Sequence, residues 1–240
     1  MRIKSLSKTF KGGSCSKTTV LALRNISVEI EKNELMSILG HNGAGKTTLI
    51  NILTGILSPD YNRDLDITIN NQSINNIDEV RRHIGVCPQF DILWKEMTAA
   101  EHLRLFARLK GISSREVDQK IDSILEFVDL LKEKHSKVGS FSGGMKRRLS
   151  LAIAAVGNPK IIFLDEPTTG LDPKVRQKVW TLIEKLKKNK SIILTTHSMQ
   201  EADILSDRIS ILVKGRLKCL GSSMYLKDSY GSGYRIALNV

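Results

Sequence analysis

Long apolar runs are missing from this 240-residue chain. Stretches such as Ile161-Ile162-Phe163-Leu164 are strand-sized, and none approaches the roughly 18 apolar residues of a membrane span. No secretory leader is expected from the residues at hand, because Met1 to Phe10 already alternates polar and apolar residues. If the protein serves a membrane, it is expected to do so from the aqueous side. Cysteine is sparse. Cys15, Cys87 and Cys219 lie far apart, without Cys-x-x-Cys or Cys/His spacing. That pattern excludes a zinc site and points to reduced thiols in a cytosolic compartment. The chain also lacks internal repeats and low-complexity tracts.

What is present describes a globular protein: 41% hydrophobic and 26% charged residues, with ample length for one large domain or two joined lobes. The formal charge of +12 is spread along the chain, with local runs at Lys146-Arg147-Arg148 and from Lys185 to Lys190. Both runs are expected to be solvated faces, with lipid headgroups ahead of nucleic acid as the other partner for such charge.

Periodicity divides the chain. Ile3 to Phe10 and Val20 to Ile30 alternate like strands, joined by a turn-rich Lys11-Gly12-Gly13-Ser14. Leu35 to Leu39 is a short buried strand, and Thr48, Leu49, Ile52 and Leu53 have helical spacing up to Gly55. Asp66 to Asn70, with Asn70-Asn71, resembles a hairpin. Thr98 to about Val156 is mainly helical. Ile161 to Leu164 and Ile192 to Thr196 then return as buried parallel strands, separated by a helix from about Pro173 to Lys187. Ile209 to Val213 and the turn after it close the pattern. The expected fold is α/β: a core of about residues 1–88 and 157–240 with an inserted helical lobe of about 89–156.

Gly40-His41-Asn42-Gly43-Ala44-Gly45-Lys46-Thr47 fits G-x-x-x-x-G-K-[ST] in full, between a strand and a helix. In that context its glycines let backbone N–H groups face phosphates, Lys46 reaches the β and γ oxygens, and the Thr47 hydroxyl ligates Mg²⁺. Thr48 belongs to the same phosphate-binding turn. Asp165 and Glu166 end a buried strand whose direction aims both carboxylates at the phosphates. Asp165 is expected to hold Mg²⁺ through water, and Glu166 to act as general base. His197, after the next strand, is read either as a γ-phosphate contact or as a structural histidine. Gln89 is read as an Mg²⁺ or water ligand, or as an ordinary loop amide. Phe10 either stacks on adenine or packs in the core. Phe141-Ser142-Gly143-Gly144-Met145 opens a helix, whose free N–H groups and dipole attract an anion. That makes a second phosphate site, offered to a neighbouring subunit.

In this order the segments resemble the ATP-binding-cassette (ABC) family, from Arg2 to about Leu238. Gly170-Leu171-Asp172 resembles the family's aspartate loop, which places Asp172 at the dimer contact. A finer resemblance to subfamily A rests on Cys87 to Trp94, Met97 to Leu103, Phe141 to Leu151, Thr195 to Asp203 and Cys219 to Ser223. Phe141 and Met145 depart from the usual Leu and Gln of the signature, and Phe10 replaces the usual tyrosine.

The resemblance implies a P-loop NTPase core of mixed and parallel sheet, an N-terminal antiparallel β subdomain and an inserted helical subdomain. It implies ATP and Mg²⁺ as ligands, a head-to-tail dimer around two ATP, and transmembrane domains as partners at the cytoplasmic face of a membrane. Subfamily A implies lipid or sterol movement; nucleic acid is not expected. Rival readings are a soluble cassette ATPase acting on ribosomes or nucleic acid, and a nucleotide-binding regulatory subunit that barely hydrolyses ATP.

Overall fold

The computed structural model describes residues 1–11 and 19–231. The turn expected at Gly12 to Ser14, and Cys15, lie outside them. Strands β1 (Arg2–Lys11) and β2 (Thr19–Glu29) pair antiparallel, and β1 also pairs with β4 (Asp66–Ile69), which continues to β5 (Gln72–Ser73). Asn70 and Asn71 both take positive φ at the β4–β5 turn. Their short polar side chains tolerate the left-handed region, as a tight hairpin of this kind requires.

Among the described residues, the second sheet has six strands in the order β10-β9-β3-β8-β7-β6. These are β3 (Leu35–Leu39), β6 (Ile84–Cys87), β7 (Ile161–Asp165), β8 (Ser191–Thr196), β9 (Arg208–Val213) and β10 (Arg216–Gly221). All neighbours are parallel except β10 on β9. Residues 161 to 165 of β7 and 191 to 196 of β8 are buried throughout, as expected of central strands covered on both faces. Alternation sorts their side chains. Leu35, Ile162, Leu164, Ile192 and Leu194 join one apolar cluster, while Met36, Ile38, Ile161, Phe163 and Ile193 join another. Successive side chains on a strand point to opposite faces, so this sheet separates the two clusters.

One cluster takes in α1 (Lys46–Leu53) and the antiparallel sheet; the other takes in α3 (Ala99–Leu109), α4 (Ser114–Phe127) and α5 (Gly143–Ala155). A capping box, with Thr98 accepting from Glu101 N–H and Glu101 accepting from Thr98 N–H, starts α3. Leu103, Ile121 and Leu149 belong to the same cluster as Leu164 and Leu194, so the helical segment shares its core with the sheet. Three shorter helices, α2 (Ile77–His83), α7 (Met199–Leu205) and α8 (Ser223–Tyr230), add to the expected α6 (Pro173–Leu186). Among the described residues, no helix is long and apolar enough to cross a membrane.

Candidate nucleotide site

The parallel strands deliver the chemistry-bearing residues to one end of the sheet. The phosphate loop follows β3, Gln89 follows β6, Asp165 closes β7 and His197 follows β8. In a parallel sheet these are all carboxyl ends, where ligands of α/β folds bind. A cleft of about 500 Å³ opens there, lined by Asn42, Gly43, Gly45, Lys46, Thr47, Thr48, Gln89 and Glu166.

Gly45, at φ +107°, sets the curl of the loop, and a Cβ there would lie 2.7 Å from the Ala22 carbonyl oxygen. Only glycine fits both demands. The α1 helix then starts without an acidic residue in its first turn, leaving its positive end for an anion. Lys46 folds back over this turn. Its ammonium donates to the carbonyls of Gly40 at 2.8 Å and His41 at 3.2 Å, and lies 3.1 Å from Glu166 Oε1. Gly40 and His41 thus orient the lysine but do not line the cleft, and Ala44 is buried in the core.

Glu166 is the centre of a cluster. Besides Lys46, it accepts from the Thr169 hydroxyl at 3.0 Å and from His197 Nδ1 at 3.1 Å, both on Oε2. A carboxylate acceptor assigns the imidazole proton to Nδ1. Burial alone would push the Glu166 carboxyl up, but hydrogen bonds from Lys46 and Thr169, with the Lys46 and His197 charges, outweigh it. The result is a pKa below the ordinary 4.5. Its backbone is strained, with φ +44° in a region that non-glycine residues seldom occupy. Glu166 N–H is held by the Thr195 carbonyl and hydroxyl, and the Thr195 hydroxyl donates in turn to Asp165 Oδ1.

This cluster carries a pH prediction. A carboxylate with a depressed folded pKa contributes stability that is complete above its unfolded value and is lost as pH falls through the folded one. Lys46→Met removes the main partner opposing burial, so the folded pKa of Glu166 rises from its depressed position and the stability that the pairing contributes at neutral pH is lost. The Tm deficit of Lys46→Met relative to wild type is therefore expected to be largest near pH 7 and to shrink towards pH 4. A deficit that stays constant over that range would contradict the pairing.

Three oxygen donors fit Mg²⁺: the Thr47 hydroxyl, the Gln89 amide and the Asp165 carboxylate. Thr47 and Gln89 line the cleft, whereas Asp165 is 3% exposed behind it. Among the described residues, no group of three or more His, Cys, Asp and Glu forms a metal cage. A hydroxyl, an amide oxygen and a carboxylate are hard oxygen donors, which suit an ion that keeps several waters and shares phosphate oxygens.

Other expected residues fall elsewhere. Ser142, Gly143 and Gly144 begin α5, whose first turn holds no acidic residue, and Ser142 accepts from Met145 N–H at 3.3 Å. Ser142 and Gly144 line a separate cavity of about 200 Å³ with Arg148, Lys174 and Lys178, sharing no residue with the first. Asp172 is exposed at the start of α6. Phe10 is 39% exposed and lies outside the cleft lining, with Lys8 Nζ 5.6 Å from its ring centroid. The wall beyond the loop comes instead from Val20, Leu21, Ala22 and Arg24 of β2, and from Lys214 and Gly215 between β9 and β10. Nothing in their spacing placed them near the loop.

The basic run at Lys146 to Arg148 is not a solvated face. Arg147 is 4% exposed, and Arg148 donates to the Val128 and Asp129 carbonyls at 2.9 and 2.7 Å. A charged run reads alike in sequence whether it is solvated or saturated with acceptors.

A family profile described as ABC transporter matches residues 23–169. ABC transporter A family member 2 of Arabidopsis thaliana is 48% identical over 98% of this chain, which spans 24% of that relative. The phospholipid-transporting ATPase ABCA3 of Homo sapiens is 40% identical over 99% of the chain, which spans 14% of it. Among solved structures, a post-hydrolysis dimer of the ATP-binding cassette MJ0796 bound to ADP and Pi superposes with a TM-score of 0.82. It is 29% identical, covering 92% of this chain and 97% of that one.

Proposed function

Because this chain belongs to the ABC transporter family, we propose that it binds and hydrolyses ATP, closing head to tail on a second cassette to drive lipid movement across a membrane. The chain corresponds to a segment of its relatives, 24% of the plant protein, so transmembrane partners and the moved molecule belong to a longer assembly. The observation that carries the reading is a division of labour. The cleft gathers Lys46, Glu166, Gln89 and Thr47, while the anion-ready start of α5 opens into a different cavity. A helix amino end facing outward completes a phosphate site only when a second chain supplies the loop.

Within the cleft, Glu166 acts as general base on the attacking water. Its partner Lys46 sits 3.1 Å away, and phosphate oxygens compete for the same ammonium. Drawing Lys46 off leaves Glu166 with burial as the dominant influence, which raises its basicity at the moment it is needed. His197 holds Glu166 Oε2 at 3.1 Å and is 48% exposed in its side chain, so it can reach a γ-phosphate from the same position. Mg²⁺ held by Thr47, Gln89 and Asp165 would neutralise charge developing on the phosphates. Val20, Leu21 and Ala22 offer apolar surface to the base. Phe10 remains a proposed stacking partner, and Asp172 a proposed contact with the second cassette.

Residues of about 89–156 act as the lobe that passes motion to the membrane partners. Phe90, at 78% exposed, Ile92 and Trp94 present apolar side chains there. Trp94 N–H donates to His102 Nε2 at 2.9 Å and His102 Nδ1 to the Thr98 carbonyl at 2.9 Å, which pins this loop to α3. A nucleic-acid role has only the net charge of +12 behind it, and two members of the basic run are engaged within the fold.

The direct test is light scattering of the chain with and without Mg²⁺ and ATP, alongside phosphate release. An ATP-dependent shift from monomer to dimer, reversing with hydrolysis, is expected. A chain that hydrolyses ATP as a monomer, with no concentration dependence, would overturn the reading.

A further inference from the structure

Arg147 takes no part in the chemistry described so far, yet it is among the best-satisfied side chains in the molecule. It sits on α5, one turn beyond the Ser142-Gly143-Gly144 end, and its guanidinium is buried between two loops. Nε donates to the Pro167 carbonyl at 2.6 Å. Nη2 donates to the Asp165 and Glu166 carbonyls at 3.1 and 3.2 Å. Nη1 reaches the Pro88 carbonyl at 2.6 Å, Asp91 Oδ1 at 3.2 Å and the Gln89 carbonyl at 3.4 Å. Ser150, on the same helix, donates to that Asp91 oxygen at 2.7 Å.

Five N–H donors on a rigid planar fork are thus shared among six acceptors on two segments. One segment is the strand end whose Glu166 holds the strained φ of +44°. Three successive carbonyls there are gripped by one guanidinium. The other is the loop that carries Gln89. Both line the chain's own nucleotide cleft, whereas the amino end of α5 faces the partner's phosphates in the reading above.

We propose that Arg147 is a positioning residue that couples the two ATP sites of the dimer. It makes the start of α5, the Glu166 strand end and the Gln89 loop move as one body. Engagement of Ser142 to Gly144 by the partner's nucleotide is thereby transmitted to Glu166 and Gln89 of the same chain. The coupling is mechanical, through rigid elements that two ligands bias together. A lysine could not replace it, because a single ammonium cannot span both segments.

The inference rests on the head-to-tail ATP dimer, so the experiment first reads the wild-type chain. Its ATP-dependent dimer and cooperative turnover must be present; their absence would remove the functional reading and this inference together. Arg147→Lys is then compared with wild type in Hill coefficient, kcat, single-site nucleotide affinity and Tm. The expected result is a Hill coefficient falling towards 1 and kcat falling roughly tenfold. Monomer affinity for a fluorescent ATP analogue should stay within about twofold. Asp91→Asn, which leaves the guanidinium in place and weakens one charge-assisted bond, should shift the same quantities in the same direction by less. It stands as the readout if Arg147→Lys fails to fold. Either variant folding normally and retaining wild-type cooperativity and kcat would overturn the coupling. So would a kcat loss that tracks affinity or Tm with the Hill coefficient unchanged.

Discussion

Glu166→Gln is expected to lower phosphate release by about 10²–10⁴-fold and to leave the chain as a stable dimer in Mg²⁺ and ATP. Glutamine has nearly the same shape; its carbonyl oxygen can still accept from Lys46, and its amide nitrogen, in place of Oε2, can donate to the Thr169 hydroxyl, so the fold and the loop should persist. What disappears is the capacity to take a proton from water. The carboxylate charge that holds Lys46 at 3.1 Å also disappears, which frees the ammonium for phosphate oxygens. Nucleotide affinity should therefore hold or rise while turnover collapses, and ATP trapped between two chains accumulates. Phosphate release and light scattering on one sample check both halves. A monomer in ATP with unchanged turnover would remove Glu166 from its role.

The second large effect separates the two ends of the composite site. Lys46→Met deletes the phosphate-loop cation. Ser142→Asp keeps a good helix cap, since aspartate is among the preferred N-cap residues, but sets a negative charge where the partner's phosphate should lie. Alone, each variant spoils both sites of its own dimer, and turnover should be near background. Mixed, they form heterodimers in which one site joins an intact Lys46 to an intact Ser142. Random C2 pairing makes about half of the dimers mixed, each with one intact site, so turnover should rise above that of either variant alone, to about a quarter of wild type for independent sites and to less where the two sites are coupled. Recovery on mixing is the measurement. Two folded variants that stay silent together would contradict a site shared between chains.

The loop, the buried carboxylate strand and the helix-opening Ser-Gly-Gly were legible in the sequence because each is a local pattern. Glycine at 43 and 45 permits positive φ, and an apolar run as short as Ile161 to Leu164, opening on two β-branched residues, fits a covered strand better than a helix. The helices at Ile77–His83, Met199–Leu205 and Ser223–Tyr230 lay outside that reading. They are at most about two turns long and too short for a clear 3.6-residue periodicity.

Buried polar partners form another group. Glu201, 1% exposed, accepts from Thr168 at 2.7 Å and from Trp180 Nε1 at 3.0 Å. It ties the segment after Glu166 to α6 and α7, though its sequence context suggests only a helix start.

Residue order thus specified the elements and the reagents: alternation assigned strands, helical spacing assigned helices, and motif spacing named Lys46, Asp165, Glu166 and His197. Which side chains meet was settled by strand order. Setting β3 between β8 and β9, with β7 beyond β8, is what brings Lys46 to Glu166 and aims His197 at the same carboxylate. Setting α5 against the ends of β6 and β7 turns Arg147 from one charge in a basic run into a six-acceptor clamp. Hydrogen bonds and ion pairs act over about 3 Å, so a contact between residues 20, 59 or 120 positions apart has no local signature. It exists only once the core has packed.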